Sequence, residues 1–313
     1  AHGVGHSPVT ALAFSPDGSR IVVAGHGEVR ILNANDGTGQ ASLPCGFPRI
    51  SGFAFSPDGS YLAVSGGEPG VHGGVELFEW PGGASVGRRL HHLDHATAVA
   101  FHPSGTLLAT AGADAEVHFQ QWPGLTPLRI LEGHSGPVLA ARFSPDGDLL
   151  VTAGMDRSIK VWDAGTGELQ RSFSHHTDIV HCLAFRPRLP GEGGSPPFHC
   201  ASGSNDRTVR VWQPAIGRMI RIVRGHGGPI LSVAYSADGS RLFSAGQEGI
   251  VRIIDADSDR ILHEWRAHDD WIYATAVSPD GEVLVSGDWT GTVKLWDIRE
   301  GRGTLLWTWP RSP

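Results

Sequence analysis

The chain is poor in the residues and motifs that usually announce chemistry. It holds three cysteines in 313 residues, Cys45, Cys182 and Cys200, too few and too irregularly spaced for a disulfide scaffold or a cysteine-type zinc site. They are expected as buried free thiols. Basic residues are in the minority: 25 Lys and Arg against 32 Asp and Glu give a formal net charge of −7. No stripe of Lys and Arg tracks a phosphate backbone, so nucleic acid is not expected as a partner. No apolar run is long enough to cross a membrane as a helix, and membrane insertion is not expected. There is no CxxCH haem-attachment motif and no Walker A motif, so no cofactor is expected. No signal peptide remains to be read, and the chain starts at Ala1. It is therefore expected to be processed or to be a piece of a larger protein, which leaves cytoplasmic and exported locations both open.

What the chain does have is 43 glycines and 21 prolines, in keeping with the many turns of an all-β protein. The stretch from Gly133 to Asp163 shows how they are used. It opens with Gly133-His134, alternates apolar and polar residues, turns at Ser144-Pro145-Asp146-Gly147 and closes on Trp162-Asp163. That is three short strands separated by punctuation. Three such strands cannot bury both faces alone, so copies must stack before a core exists. The apolar residue before the turn recurs as Phe14, Phe55, Phe101, Phe143, Phe185, Tyr235 and Val277, at steps of 41 to 50 residues.

Seven copies in one register resemble the WD40 repeat family over nearly the whole chain. The resemblance implies a seven-bladed β-propeller of four-stranded antiparallel blades, one domain with blades near residues 5–43, 44–91, 92–132, 133–174, 175–224, 225–266 and 267–310. Gly5-His6 would open the first blade and Thr304 to Trp309 would close the seventh. Each blade is then contiguous in sequence, and ring closure rests on packing between the first and last. Blade two carries a long turn, Gly66 to Gly74, expected as a lengthened loop between its second and third strands. Blade five carries an insertion after Pro187, RLPGEGGSPPFH, expected as an exposed loop. The terse Ser-Pro-Asp-Gly turns look like bacterial WD40 domains. Gly66 to Gly74 and Arg207 to His226 look similar to exported bacterial WD40 proteins that carry a cytochrome-type domain elsewhere.

In this family a His, a Ser or Thr, an Asp and a Trp of one repeat form a hydrogen-bonded group. The matching positions are His134, Thr152, Asp156 and Trp162 in blade four, and His176, Ser202, Asp206 and Trp212 in blade five. Blade three keeps His92, Thr110 and Asp114 with Gln120 in place of the tryptophan. Blade seven keeps His268, Ser286 and Trp296, with Thr290 expected at the Asp position. Blades one and two have Val23 and Val64 in place of the hydroxyl, so their turns must be held differently. Ser, His and Asp together suggest a nucleophilic triad. A triad needs an exposed hydroxyl beside an oxyanion hole, whereas these hydroxyls are expected beneath an indole, so no catalytic residue is assigned.

Other apparent motifs lack their context. Gly83-Ala84-Ser85-Val86-Gly87 spells a nucleophile elbow, which needs a strand before it and a helix after it, and here it is expected in a Gly-rich link. His263-Glu264 and His268 are one residue too far apart for a zinc-protease pair, on an expected outer strand. Asp255, Asp257 and Asp259 begin like a calcium loop, but Arg260 and Arg266 stand where Gly and Glu are required. His91, His92 and His95 could hold an adventitious metal, but His92 is expected to be structural and no metal site is assigned.

The resemblance also implies a binding face around the central channel, where peptides or protein loops dock. The rim positions lie three and five residues after the Gly-His histidine and one before the turn Asp. In blade seven they are Trp271, Tyr273 and Trp289, three aromatics that suit an interface core. Further rim candidates are Leu231 and Gln247 in blade six, His181 and Asn205 in blade five, Leu139 and Met155 in blade four, and Arg49 in blade two. Trp271 and Tyr273 have a second reading, as packing that seals the ring. The expected function is a non-catalytic scaffold for a protein or peptide partner. The alternatives are a structural portion of a larger, redox-linked chain docking on its own parent, and an enzyme of the central channel, for which His181 is the single candidate.

Overall fold

Apolar residues recurring with period two make strands, and the turns between them close because short polar side chains and glycine satisfy the backbone there. Blade four shows the unit: Val138–Phe143, Leu149–Gly154, Ile159–Asp163 and Leu169–Phe173 pair antiparallel in chain order. In its first turn Ser144 Oγ donates to Asp146, the same carboxylate accepts from Asp148 N at 3.1 Å, and Leu149 N donates to Ser144 Oγ at 3.0 Å. Gly147 sits there at a φ of 86°, in the left-handed region that a side chain would strain. Ser15, Ser56, Ser236 and Ser278 bond the Asp two residues on in the same way.

The computed structural model describes residues 7–188 and 198–310. Its strands form five four-stranded sheets and one seven-stranded sheet. The larger sheet is two blades joined by one long strand, Gly39–Phe55, whose residues 39–44 pair with His26–Asn33 and whose residues 49–55 pair with Tyr61–Glu68. Seven four-stranded units follow. Seven apolar clusters lie between them, each built from two neighbouring units. The cluster of Val9, Phe14, Ile21, Val23, Leu32 and Ala34 with Val285, Val293, Leu295 and Trp307 joins the last unit to the first and closes the ring. A single turn of 3-10 helix, Pro214–Ile216, is the helical element among the described residues.

Closure is reinforced by two hydrogen bonds, from Val9 N to Asp288 O and from Trp307 Nε1 to Ala34 O, each 3.0 Å. The Trp307 ring lies against Gly37, where an added Cβ would stand 2.8 Å from it. Inner strands are also tied across blades: Thr10 Oγ1 donates to Ile50 O at 2.7 Å, and Ser232 and Thr275 share a hydroxyl bond of 2.8 Å.

Blade two departs from the expected loop. Gly66, Gly67 and Glu68 pair with Gly74, Gly73 and His72, so the stretch is a lengthened hairpin turning at Pro69-Gly70-Val71. Its glycines permit this, because a Cβ on Gly67 would lie 2.2 Å from His72 O and one on Gly73 2.2 Å from Ala96 N. Ser85 likewise begins a strand, Ser85–His92, rather than lying in a link. Cys182 is half-buried, while Cys45 and Cys200 are buried, and all three are free. Gly5-His6 and residues 189–197 of the blade-five insertion lie outside the described residues.

Candidate functional site at the channel mouth

The repeated polar residues meet inside the blades. In blade four His134 Nδ1 lies 2.8 Å from Asp156, His134 Nε2 lies 2.8 Å from Thr152 Oγ1, and Trp162 Nε1 donates to that hydroxyl at 2.9 Å. In blade five the distances for His176 with Asp206, His176 with Ser202 and Trp212 with Ser202 are 2.7, 2.8 and 2.8 Å. Blade seven builds the same group from His268, Ser286 and Trp296, but its carboxylate is Asp288, 2.8 Å from His268 Nδ1. This corrects the assignment of Thr290. Asp288 ends the second strand two residues earlier, and Thr290 Oγ1 donates to it at 2.7 Å.

Burial alone would raise the pKa of Asp156, Asp206 and Asp288, yet the bonds from their histidines and from turn donors hold all three below the usual carboxylate range. The three hydroxyls are fully enclosed. Each lies between an imidazole and an indole, which leaves no room for a substrate carbonyl.

Blade three fills the missing indole with histidine. His91 Nε2 and Gln120 Nε2 both reach the Thr110 hydroxyl, at 2.6 and 3.3 Å, beside His92 at 3.0 Å. Burial, with His92 and His118 adding to it, pulls the pKa of His91 down to about 3. His92, Asp114 and His118 present donor atoms within 4.8 Å of one another, a grouping that could hold a metal ion. His92 already spends both nitrogens on Asp114 and Thr110, so a metal would have to displace one of those bonds. Blades one and two are held otherwise: in blade two the buried Glu76 accepts from Gly46 N at 2.8 Å and from Ser85 Oγ at 2.9 Å.

The rim positions are brought together by a backbone bond that repeats around the ring. An N–H in the turn after the second strand donates to the carbonyl three residues after the histidine: Ala113 to His95, Met155 to Pro137, Asn205 to Ile179, Gln247 to Pro229 and Trp289 to Trp271, at 2.8 to 3.0 Å. Trp271 and Trp289 are therefore neighbours, 42% and 51% exposed. Tyr273 lies between them with ring centroids 6.3 and 5.6 Å away. Ring closure uses Trp307 and the apolar residues around it, and neither Trp271 nor Tyr273 belongs to that cluster.

Inside the rim the inner strands of all seven blades surround a cavity of about 540 Å³. Arg49, Leu139, His181, Asn205, Leu231, Gln247, Trp271 and Tyr273 line it; Met155 and Trp289 stand outside, on the exposed rim. His181 Nε2 is 2.7 Å from Asn205 Oδ1, and burial lowers its pKa. Arg142 also lines the cavity and was not among the expected site residues.

Residues 2–33, 86–119, 125–163, 167–213, 217–255 and 259–297 match the family model described as WD domain, G-beta repeat. The unmatched stretch 34–85 includes most of blade two, which lacks the Gly-His pair, the hydroxyl and the tryptophan. Over 100 residues the chain is 39% identical to WD repeat and SOCS box-containing protein 1 of Danio rerio and 37% identical to the protein of that name from Homo sapiens. Those matches cover 32% of this chain and 22% of each relative. It is 27% identical over 116 residues to nuclear distribution protein nudF of Emericella nidulans, covering 33% of this chain and 26% of that protein. The chain thus spans about a quarter or less of the length of these relatives.

Proposed function

The chain belongs to the WD40 repeat family, and from that premise we propose that it is a non-catalytic module that binds a protein or peptide at the channel mouth. The observation that carries this reading is the contiguous aromatic group of Trp271, Tyr273 and Trp289, two of them about half exposed on the rim of a cavity. Large aromatics exposed together, beside the polar residues Asn205, Gln247 and Arg49, have the composition of an interface core. Leu139, Leu231, Met155 and His181 complete the proposed contact face. The net charge of −7 argues against nucleic acid. The matches cover about a quarter or less of each relative, so what comes to this chain from them is the propeller as an interaction module.

A second reading is a propeller that docks on other domains of its own parent chain. It draws on the small share of each relative that the match covers. The narrower form, a bacterial parent of the kind linked to cytochrome-type domains, draws on Gly66 to Gly74 and Arg207 to His226 alone. The relatives named above are from vertebrates and a fungus.

The test is capture of partners from a lysate of the native organism by the wild-type domain and by a Trp271→Ala, Trp289→Ala double variant, both confirmed folded. A partner bound by the first and lost by the second supports the channel-mouth site. Equal capture by both contradicts it.

A further inference from the structure

Arg142 breaks a pattern that the other six blades keep. The residue just before the apolar residue that ends each inner strand is Ala13, Ala54, Ala100, Ala184, Ala234 or Ala276, and in blade four it is Arg142. The alanines do not line the channel cavity, and most of them pack in or against the apolar clusters between blades, whereas Arg142 lines it. That side chain lines the cavity and is exposed to solvent. Its Nη1 donates to Ala141 O at 2.8 Å, which leaves most of its five N–H donors unused by the described residues.

Among the described residues no carboxylate is paired with this charge. The ionisable groups that bear on Arg142 are the thiols of Cys182 and Cys200, both kept protonated because burial pushes the first up to about 12 and raises the second as well. Arg49 lines the same cavity, together with His95 and His181, and among the described residues no Asp or Glu lines it. Acids near the mouth accept from backbone N–H groups of the surrounding loops. Asp94 accepts from Gly70 N and His95 N at 2.8 and 2.7 Å, Asp178 from Ile179 N and Asp270 from Trp271 N at 2.7 Å. Two guanidiniums lining one cavity, with no Asp or Glu beside them among the described residues, focus a positive potential into it, and a solvent-reached guanidinium with unused donors is open to an anionic group that enters the channel.

We propose that the channel receives an acidic side chain of a partner peptide, whose carboxylate pairs with Arg142 while flanking residues rest on Trp271 and Tyr273. This deepens the channel-mouth reading and rests on it. A peptide is favoured over a small free anion because the anion would leave the exposed aromatic rim uncovered. The pair would be charge-assisted, and bidentate where the fork of the guanidinium meets both oxygens.

The experiment uses pools of capped hexapeptides, randomised except for one position fixed as Glu, Asp, Gln, Asn or Lys, with binding read by fluorescence polarisation. Wild type, Arg142→Ala and the Trp271→Ala, Trp289→Ala variant are compared. Arg142→Ala installs the residue that the other blades carry, so it should fold, and its melting temperature checks this. The expected result is that Glu or Asp pools bind wild type about tenfold or more tightly than Gln or Asn pools, that Arg142→Ala abolishes the difference, and that the double variant weakens every pool. Equal binding of acidic and amide pools, or an acidic preference that survives in Arg142→Ala, overturns the proposal. If either occurs while the double variant still loses binding, the aromatic rim stands and the acidic inference alone falls. Binding of free glutarate without any peptide preference overturns it in favour of a small anion, and no binding of any pool by wild type overturns both readings.

Discussion

Thr152 holds two buried groups at once: it accepts from the Trp162 indole and meets His134 Nε2, and it is itself fully enclosed. Thr152→Val keeps the shape and removes the oxygen, leaving an indole N–H and an imidazole nitrogen without partners. The expected cost is about 1 to 3 kcal/mol, measured by chemical denaturation, and an unchanged midpoint would contradict the hydrogen-bonded group. His226 is the incomplete version. It bonds Ser244 at 2.8 Å, its Nδ1 has no partner, and Glu248, at the position of the turn Asp, pairs with Arg252 instead. Burial, with Arg252 beside it, lowers its pKa from 6.5 to about 4. A lowered histidine pKa means that the unfolded chain takes up the proton first, so stability is lost as pH falls from about 6.5 towards 4. The share due to His226 is up to roughly 3 kcal/mol, other buried histidines adding to it. His226→Gln should flatten the fall in melting temperature across that window, and an unchanged slope would show that His226 does not titrate this way.

The paired carboxylates act in a lower window, by the opposite route. Asp156, Asp206 and Asp288 are held below the usual range in the folded protein. Their contribution is present above about pH 4 and is lost as pH falls through the lowered values. Which aspartate does this was only partly legible from sequence. Asp156 and Asp206 stand four residues after the hydroxyl, and the same count in blade seven lands on Thr290. Asp288, two residues after Ser286, reaches His268 because it ends its strand pointing at the ring.

At the scale of the element, the period-two strands and the Ser-x-Asp-Gly turns were legible, because both follow from local chemistry. The blade-two hairpin was not. Its glycines read as a loop, and only pairing with a neighbouring backbone shows that they allow close approach. Trp271 and Tyr273 followed from counting residues after the histidine and Trp289 from its place before Thr290, which is not the turn carboxylate; the bond from Trp289 N to Trp271 O is what makes the two tryptophans neighbours. Trp289 stands on a turn with half its surface exposed and Tyr273 as its aromatic neighbour. Trp289→Ala should change stability by no more than about 0.5 kcal/mol while weakening partner capture. A large loss of stability would assign it to packing. Arg142 was also written in the sequence, as the one departure from a column of alanines. What was missing was knowledge that this side chain reaches the channel, which requires the inner strands to be arranged around it.

For the whole molecule, the decisive joint is the one between the last blade and the first. Trp307 covers Gly37, donates to Ala34 O and sits in the cluster that spans both blades. Trp307→Ala should cost about 3 to 5 kcal/mol, whereas Trp271→Ala, on the exposed rim, should cost far less. Equal losses from the two would mean that the ring is sealed at the mouth. The closed ring places seven inner strands around one cavity and holds the aromatic rim over it without further ordering, so binding there costs little conformational entropy. The most direct measurement of that central claim is hydrogen–deuterium exchange of the protein alone and with a captured partner. Protection confined to the segments around Trp271, Trp289, Gln247 and Asn205 is the predicted result, and protection on the face of the Ser-x-Asp-Gly turns, with the rim unchanged, would contradict it.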